Sequence, residues 1–112
     1  MDTMAQKSEL IRGTLDMLVL RVLSRGELHG WGITQKLEQI SRNALRVEEG
    51  SLYPSLYRME DKGWLKSEWR LTENSQRAKF YSLTRAGWKQ LGAEKESWDR
   101  MASIIDLVME ST

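Results

Sequence analysis

Residues 49–60 read Glu49-Gly50-Ser51-Leu52-Tyr53-Pro54-Ser55-Leu56-Tyr57-Arg58-Met59-Glu60. Leu52, Leu56 and Met59 recur at steps of four and three, which is the buried stripe of a short helix. The only proline of the chain falls near the start of this helix, where a missing backbone N–H costs least. Ser51 is placed to cap the helix and Gly63 to end it, so we expect a helix between these two residues.

The side of this helix opposite the stripe is polar and aromatic. At about 100° per residue it presents Pro54, Tyr57 and Arg58, and the first turn is flanked by Ser51 and Tyr53. A helix that exposes tyrosine and arginine near its N-terminus can enter a DNA major groove. Its hydroxyl and N–H groups then meet phosphates, and the arginine reaches base edges or backbone. A solvated face with two incidental tyrosines is the alternative, and the pattern leaves both interpretations open.

Downstream of Gly63 the apolar period changes from about 3.6 residues to 2. Leu65, Ser67, Trp69 and Leu71 share one face of a predicted strand. A turn at residues 74–77 and a second strand at residues 79–83 complete a hairpin. At or beside its tip stand Asn74, Gln76, Arg77 and Lys79. Long polar and cationic side chains on a protruding turn suit phosphate or minor-groove contact, although any exposed loop carries similar ones.

The charges of the chain are unevenly distributed. Residues 41–90 carry ten basic and six acidic side chains, whereas residues 91–112 carry two basic and five acidic ones. A basic middle and an acidic tail indicate two surfaces with different partners, unless so small an excess is chance.

The rest of the chain predicts three more helices. Residues 10–23 carry a wide apolar stripe that Gly26 ends, and a second helix runs from His29-Gly30-Trp31-Gly32 to about residue 41. Residues 45–47 alternate and favour a short strand, and Thr84 is placed to cap a last helix over residues 85–109. The order predicts a mainly α (α+β) fold of the winged helix-turn-helix type, one compact unit with a winged-helix domain at 1–83 and a long dimerisation helix at 84–112.

Composition and length exclude several classes of protein. The 112 residues fit one domain, and no apolar run reaches the roughly 18–20 residues of a membrane span. The chain has no cysteine, which excludes disulfides, thiol catalysis and cysteine-ligated zinc. The start has no basic and apolar signal segment. We therefore expect a cytoplasmic protein with no metal, no cofactor and no membrane partner.

The side chains give no support for catalysis. His29 is the only histidine and stands at a helix start, where capping explains it better than catalysis does. The acidic neighbours Glu48-Glu49 and Glu60-Asp61 diverge by about 100° on a helix and do not share a site. No Gly-rich phosphate loop is present. We expect no catalytic residue and no enzyme activity.

The last helix carries an apolar stripe at alternating steps of three and four, the spacing of a helical interface. Its members are Trp88, Leu91, Lys95, Trp98, Ala102, Ile105 and Met109, widened by Met101, Ile104 and Val108. This stripe predicts the seam of a homodimer. Packing back onto the first helix is the alternative use of the same face.

Three blocks of the sequence together resemble the PadR-like transcriptional regulators. They are residues 29–33 (HGWGI), residues 49–60 and residues 77–87 (RAKFYSLTRAG), and Gly13-Thr14-Leu15-Asp16 also looks like the opening of that family. The resemblance covers roughly residues 10–92. It implies a homodimeric, sequence-specific DNA-binding regulator, usually a repressor and sometimes released by a small molecule, with a single C-terminal helix for dimerisation in short members. Trp31 departs from the family, which more often has tyrosine there.

A winged helix that docks to another protein without binding DNA is the alternative function. Tyrosines, Arg58 and a cationic hairpin together favour double-stranded DNA, read as a pseudo-palindromic operator by a dimer. In such a dimer, Trp98 lies mid-helix and meets its own copy. Two indoles with methionine and carboxylate nearby suit a planar aromatic effector, and some short PadR-like regulators stack ligands on such a tryptophan. Filling of the interface is the alternative role of Trp98.

Overall fold

The computed structural model describes residues 14–112; residues 10–13 of the predicted first helix lie outside them. Residues 14–23 are helical and form α1. The other elements, in chain order, are β1 (Leu28–His29), α2 (Gly30–Ile40), α3 (Glu49–Asp61), β2 (Leu65–Leu71), β3 (Arg77–Leu83) and α4 (Arg85–Glu110). Within the described residues, no helix is both long and apolar enough for a membrane span.

The three strands form one antiparallel sheet in the order β1-β3-β2. Ser67 and Leu28 both lie opposite Tyr81, on the two sides of β3, and Trp69 lies opposite Lys79. The hairpin is therefore as predicted, except that β3 begins at Arg77, whereas the sequence predicts a turn at this residue. Its root packs on the helices, and its tip extends beyond them.

The short strand predicted at residues 45–47 is wrong. Both edges of β3 are already paired, one with β2 and the other with β1, so the extra strand of the sheet is Leu28–His29 instead. The Leu45 amide donates to the Ser41 hydroxyl (3.0 Å), and Val47 is buried in the core. The alternation of residues 45–47 thus reflects an extended connection with one face against the core.

The core is one cluster of apolar side chains from the helices and the sheet. It consists of Leu15, Val19, Leu20, Val22, Leu23, Ile33, Leu37, Val47, Leu52, Leu56, Met59, Leu65 and Tyr81. The predicted stripe of the third helix, Leu52, Leu56 and Met59, is fully buried in it. At about 25 cal/mol per Å² of apolar surface, burial of this stripe is a main reason why α3 keeps a fixed orientation.

The predicted start of α3 needs correction. The helix begins at Glu49, so Ser51 lies in its first turn and is not its cap; Glu48 takes the cap position without a side-chain hydrogen bond. The amides of Ser51 and Leu52 both donate to the Glu48 carbonyl oxygen (3.0 Å each). Pro54 consequently lies inside the helix, where its ring nitrogen cannot donate to the preceding turn.

Other predicted helix ends are confirmed. His29 Nδ1 accepts a hydrogen bond from the Gly32 amide (3.0 Å) at the start of α2, so its capping role holds. Thr84 Oγ1 accepts from the Gly87 amide (3.1 Å) at the start of α4. Gly63 has φ +78°, a left-handed conformation that ends α3 and that side chains disfavour.

Candidate nucleic-acid interface

A cleft of about 630 Å³ lies between the helices and the hairpin. One wall is formed by the start of α2 and by α3, with Trp31, Tyr53 and Tyr57. The opposite wall is the face of the hairpin that carries Trp69 and Arg77. The fold thus brings the two predicted DNA-contacting elements, α3 and the hairpin, to the two sides of one cleft.

The two tyrosines of α3 differ in freedom. A Cβ added at Gly30 would stand 2.5 Å from the Tyr53 hydroxyl oxygen, so the Tyr53 ring packs directly on the backbone of α2. Burial, and then the nearby Glu49 carboxylate, raise the pKa of Tyr53. Tyr57 is 52% exposed, and its ring centroid lies 6.1 Å from that of Tyr53. Tyr57 is the freer of the two groups to contact a ligand.

Arg58 has a protein partner that its position on the helical wheel does not indicate. Its Nη2 lies 2.6 Å from Asp16 Oδ1 of α1, and 37% of its side chain is exposed. The remaining predicted residues of α3, Ser51 and Pro54, are exposed. The structure therefore leaves the outer side of the first turns of α3 accessible and ties Arg58 to the helical core.

The tip of the hairpin is a tight turn. The Thr72 amide donates to the Gln76 carbonyl (2.7 Å), and the Gln76 amide donates to the Thr72 hydroxyl (3.2 Å). Asn74 is exposed at the tip. The Arg77 guanidinium carbon lies 5.2 Å from the centroid of the Trp69 ring, a cation–π contact that limits the positions its charge can take.

Lys79 lies deeper in the cleft than a residue of the tip. Its ammonium is 3.2 Å from Glu60 Oε1 of α3, and Glu60 Oε2 accepts from the Ser67 hydroxyl (2.5 Å). The ammonium is also 5.6 Å from the centroid of the Tyr81 ring. Burial, followed by the Glu60 charge, raises the pKa of Tyr81 to about 12. Lys79 and Glu60 therefore connect the hairpin to α3.

Comparison with known proteins identifies the family. The family model described as "Transcriptional regulator PadR-like family" matches residues 19–93. The chain belongs to this family. The transcriptional regulator Rv3488 of Mycobacterium tuberculosis is 34% identical over 94 residues, which cover 84% of each protein.

Two solved structures of transcriptional regulators are similar to this chain over nearly their whole length. A PadR family transcriptional regulator from Eggerthella lenta has a TM-score of 0.83 at 29% identity, over 98% of this chain and 94% of that one. A transcriptional regulator from Clostridium thermocellum has a TM-score of 0.81 at 26% identity, over 88% of this chain and 95% of that one. These matches confirm the winged helix-turn-helix fold and indicate regulation of transcription through DNA binding.

Several features of the cleft and of the residues around it are not predicted by the sequence. Trp31, Trp69 and Leu71 are large apolar side chains that stay exposed, Trp69 to 56%. The alternation of β2 places Trp69 and Leu71 on the face of buried Leu65, but the hairpin outreaches the core and leaves them in solvent. Asp16 was also missed as a partner, because no local pattern connects α1 to Arg58.

The residues of the predicted seam on α4 differ in their exposure. Leu91 is partly buried against the core, and Ala102 is also partly buried. The other predicted members are exposed: Trp88, Trp98, Met101, Ile104, Ile105, Val108 and Met109. Lys95 pairs with Asp99 one turn along the helix (2.8 Å). Within the described chain, the C-terminal half of α4 therefore presents an apolar surface to solvent.

Proposed function

We propose that this PadR-like protein is a homodimeric repressor that binds a pseudo-palindromic operator and leaves it when a planar aromatic effector binds. The observation that carries the DNA-binding part is the cleft, in which exposed Tyr57 of α3 faces the Arg77-bearing wall of the hairpin. A recognition helix in the major groove with a cationic wing beside it fits this arrangement. Ser51, Tyr53, Pro54 and Asn74 complete the proposed contact surface.

The dimeric state is supported by α4. Large apolar side chains that recur along an exposed helix need cover, and a second copy of the same helix supplies it at matching spacing. One recognition helix also reads too few base pairs for useful specificity. Two copies related by a two-fold axis would read half-sites about one or two helical turns apart, near 34 Å per turn. Residues 1–83 then form the DNA-binding part and residues 84–112 the dimerisation helix.

The effector part rests on Trp98. Its side chain is 50% exposed in the middle of the proposed seam, with Met101 nearby and with Glu94 held by Gln90 (3.1 Å). Paired indoles flanked by a thioether and a carboxylate suit a flat cation. A ligand between two α4 helices would change the angle between the two α3 helices and so couple effector binding to DNA release.

Docking to another protein is the second candidate function. It is favoured by the exposed Trp31, Trp69 and Leu71 around the cleft, because exposed apolar side chains in one area are typical of protein contacts. Such a partner would bind through apolar area, whereas DNA would bind through phosphates.

Selection of bound sequences from random duplex DNA tests the proposal directly. We expect enrichment of a two-fold symmetric site, bound by two chains. Affinity for the selected site should fall steeply as salt rises, because each phosphate-bound cation releases counterions. Failure to enrich any site, binding of one chain per site, or an affinity independent of salt would contradict the proposal. Adding candidate ligands to the selection shows whether an effector releases the DNA.

A further inference from the structure

Asp16 of α1 joins two side chains of α3. Its Oδ1 accepts a hydrogen bond from the Ser55 hydroxyl (2.5 Å) and an ion-paired hydrogen bond from Arg58 Nη2 (2.6 Å). Ser55 is almost fully buried, and only 14% of the Asp16 side chain is exposed. The three residues form a closed contact between the first helix and the recognition helix.

The contact leaves Arg58 with unused hydrogen-bonding capacity. A guanidinium has five N–H donors in a planar fork, and Asp16 takes the donor of one terminal nitrogen. Arg58 follows Tyr57 in α3, and 37% of its side chain is exposed. The orientation of Arg58 is fixed from the core side, while part of its fork remains open to solvent.

The pair also has a particular electrostatic character. Asp16 and Arg58 together carry no net charge, so they contribute little to the long-range attraction between protein and DNA. A phosphate therefore gains from Arg58 only at hydrogen-bonding distance and in the right direction. Loosely held, non-specific DNA rarely satisfies both conditions, whereas DNA docked in register does.

We propose that Asp16 is a positioning residue for DNA binding, which directs the Arg58 fork to one backbone phosphate of the docked operator and cancels its attraction for DNA elsewhere. The idea rests on the proposed DNA-binding function. On this proposal, Asp16, which belongs to the segment Gly13-Thr14-Leu15-Asp16, helps the protein to distinguish operator from random DNA. The proposal also assigns Arg58 to the backbone and not to a base edge.

The test compares Asp16→Asn, Ser55→Ala and wild type for affinity to the selected operator and to random DNA, each at several salt concentrations. Asp16→Asn frees the Arg58 charge, so binding to random DNA should rise and its salt dependence should steepen by about one unit. The ratio of operator affinity to random affinity should fall about tenfold, the effect of one oriented charge-assisted hydrogen bond. Ser55→Ala removes the other donor to the same carboxylate oxygen but keeps the Asp16 charge and its pair with Arg58, so ratio and slope should change much less than in Asp16→Asn.

Arg58→Lys provides a second test that does not require loss of the carboxylate. A lysine keeps the positive charge but has one ammonium, which cannot pair with Asp16 and present a planar fork together. The ratio of operator affinity to random affinity should fall in Arg58→Lys as it does in Asp16→Asn. In the variant that carries both substitutions, this ratio should fall little further. If the operator-to-random affinity ratio is unchanged in Arg58→Lys, Asp16 has only a structural role. The same conclusion follows if Asp16→Asn and Ser55→Ala lose equal thermal stability and neither changes this ratio. A wild type that binds no DNA would instead refute the proposed function.

Discussion

At two of the glycines in the described residues, an added Cβ would stand less than 3 Å from a neighbouring residue. At Gly30 the Tyr53 ring occupies the position of a Cβ, and at Gly87 the Trp64 carbonyl oxygen does so. The second contact is the tighter constraint, because it involves backbone and not the end of a flexible side chain. Gly87 is also the only fully buried residue of α4, so this contact places the start of the helix against the residue before β2.

Gly87→Ala should destabilise the protein by about 1–3 kcal/mol, because the new methyl group displaces α4 from the hairpin root. Gly92→Ala is the matched control: it lies in the same helix, its Cβ would meet nothing within 4 Å, and the change should stabilise by about 0.5–1 kcal/mol. Chemical denaturation of both variants measures the difference. Equal stabilities for the two variants would show that α4 does not depend on the contact with Trp64.

The raised pKa of Tyr81 predicts that the protein loses stability at alkaline pH. Its side chain is 1% exposed, and burial with the Glu60 charge raises its pKa from 10.0 to about 12. The folded state therefore keeps a proton that the unfolded chain loses above pH 10, so this contribution is complete below pH 10 and is lost between pH 10 and 12. Over that interval the wild type should lose about 2–3 kcal/mol more unfolding free energy than Tyr81→Phe does. Parallel pH profiles in urea denaturation would contradict the assignment.

Among the elements, the hairpin and α3 show how far the sequence alone predicts this structure. The change of period after Gly63 predicted β2 and β3, and the four-and-three spacing predicted the buried stripe of α3, because both signals are local. The strand Leu28–His29 was missed, since two residues carry no period and their pairing depends on β3, far along the chain. The cap of α3 was placed at Ser51 because residue type indicates that a cap can form, not where the helix starts.

The sequence predicted which side of α3 the candidate site residues face, but not which residues they contact. The wheel placed Tyr57 outward correctly, and it placed Arg58 outward as well. It gave no sign of Asp16, which lies 42 positions earlier in the chain. In the same way, the alternation of β3 predicted nothing about the pairing of Lys79 with Glu60 on α3. Partners that come together only in the folded chain leave no pattern in a single sequence.

Arg77→Ala should weaken binding to operator and random DNA alike and reduce the salt slope by about one unit, because we expect Arg77 to neutralise a phosphate. Lys66→Ala is the matched control, since it removes the same charge from the opposite, exposed face of the same hairpin. Gel shifts at two or more salt concentrations measure both effects. A loss confined to the operator would instead indicate that Arg77 reads base edges in the minor groove.

At the scale of the whole molecule, α4 extends away from the winged-helix part. Its 26 residues extend about 39 Å, and only its first turns are joined to the winged-helix part described above. The principal extents of 59 × 32 × 24 Å describe an elongated molecule with much apolar surface on that helix. A second copy that covers this surface would also fix the distance between two DNA-binding clefts.

Ile105→Glu should give monomers that no longer bind DNA, because a charge in the middle of the seam cannot be buried without a partner. Ser103→Glu is the matched control, since residue 103 lies about 160° around the helix from residue 105 and is exposed. Light scattering after size-exclusion chromatography measures the mass, and gel shifts measure the binding. A stable, DNA-binding dimer of Ile105→Glu would refute the seam.

The proposed role of Trp98 as an effector site in the dimer is tested by a titration with planar cationic dyes. In the wild type we expect dye binding and a parallel loss of operator binding, because a dye between two Trp98 rings changes the relative orientation of the clefts. Trp98→Ala should abolish the dye response while the dimer persists. Trp31, Trp64, Trp69 and Trp88 also fluoresce, so the comparison depends on the difference between the two proteins and on dye anisotropy. If quenching and operator binding respond to dye equally in both proteins, Trp98 only fills the interface, and release of the operator must come from another site.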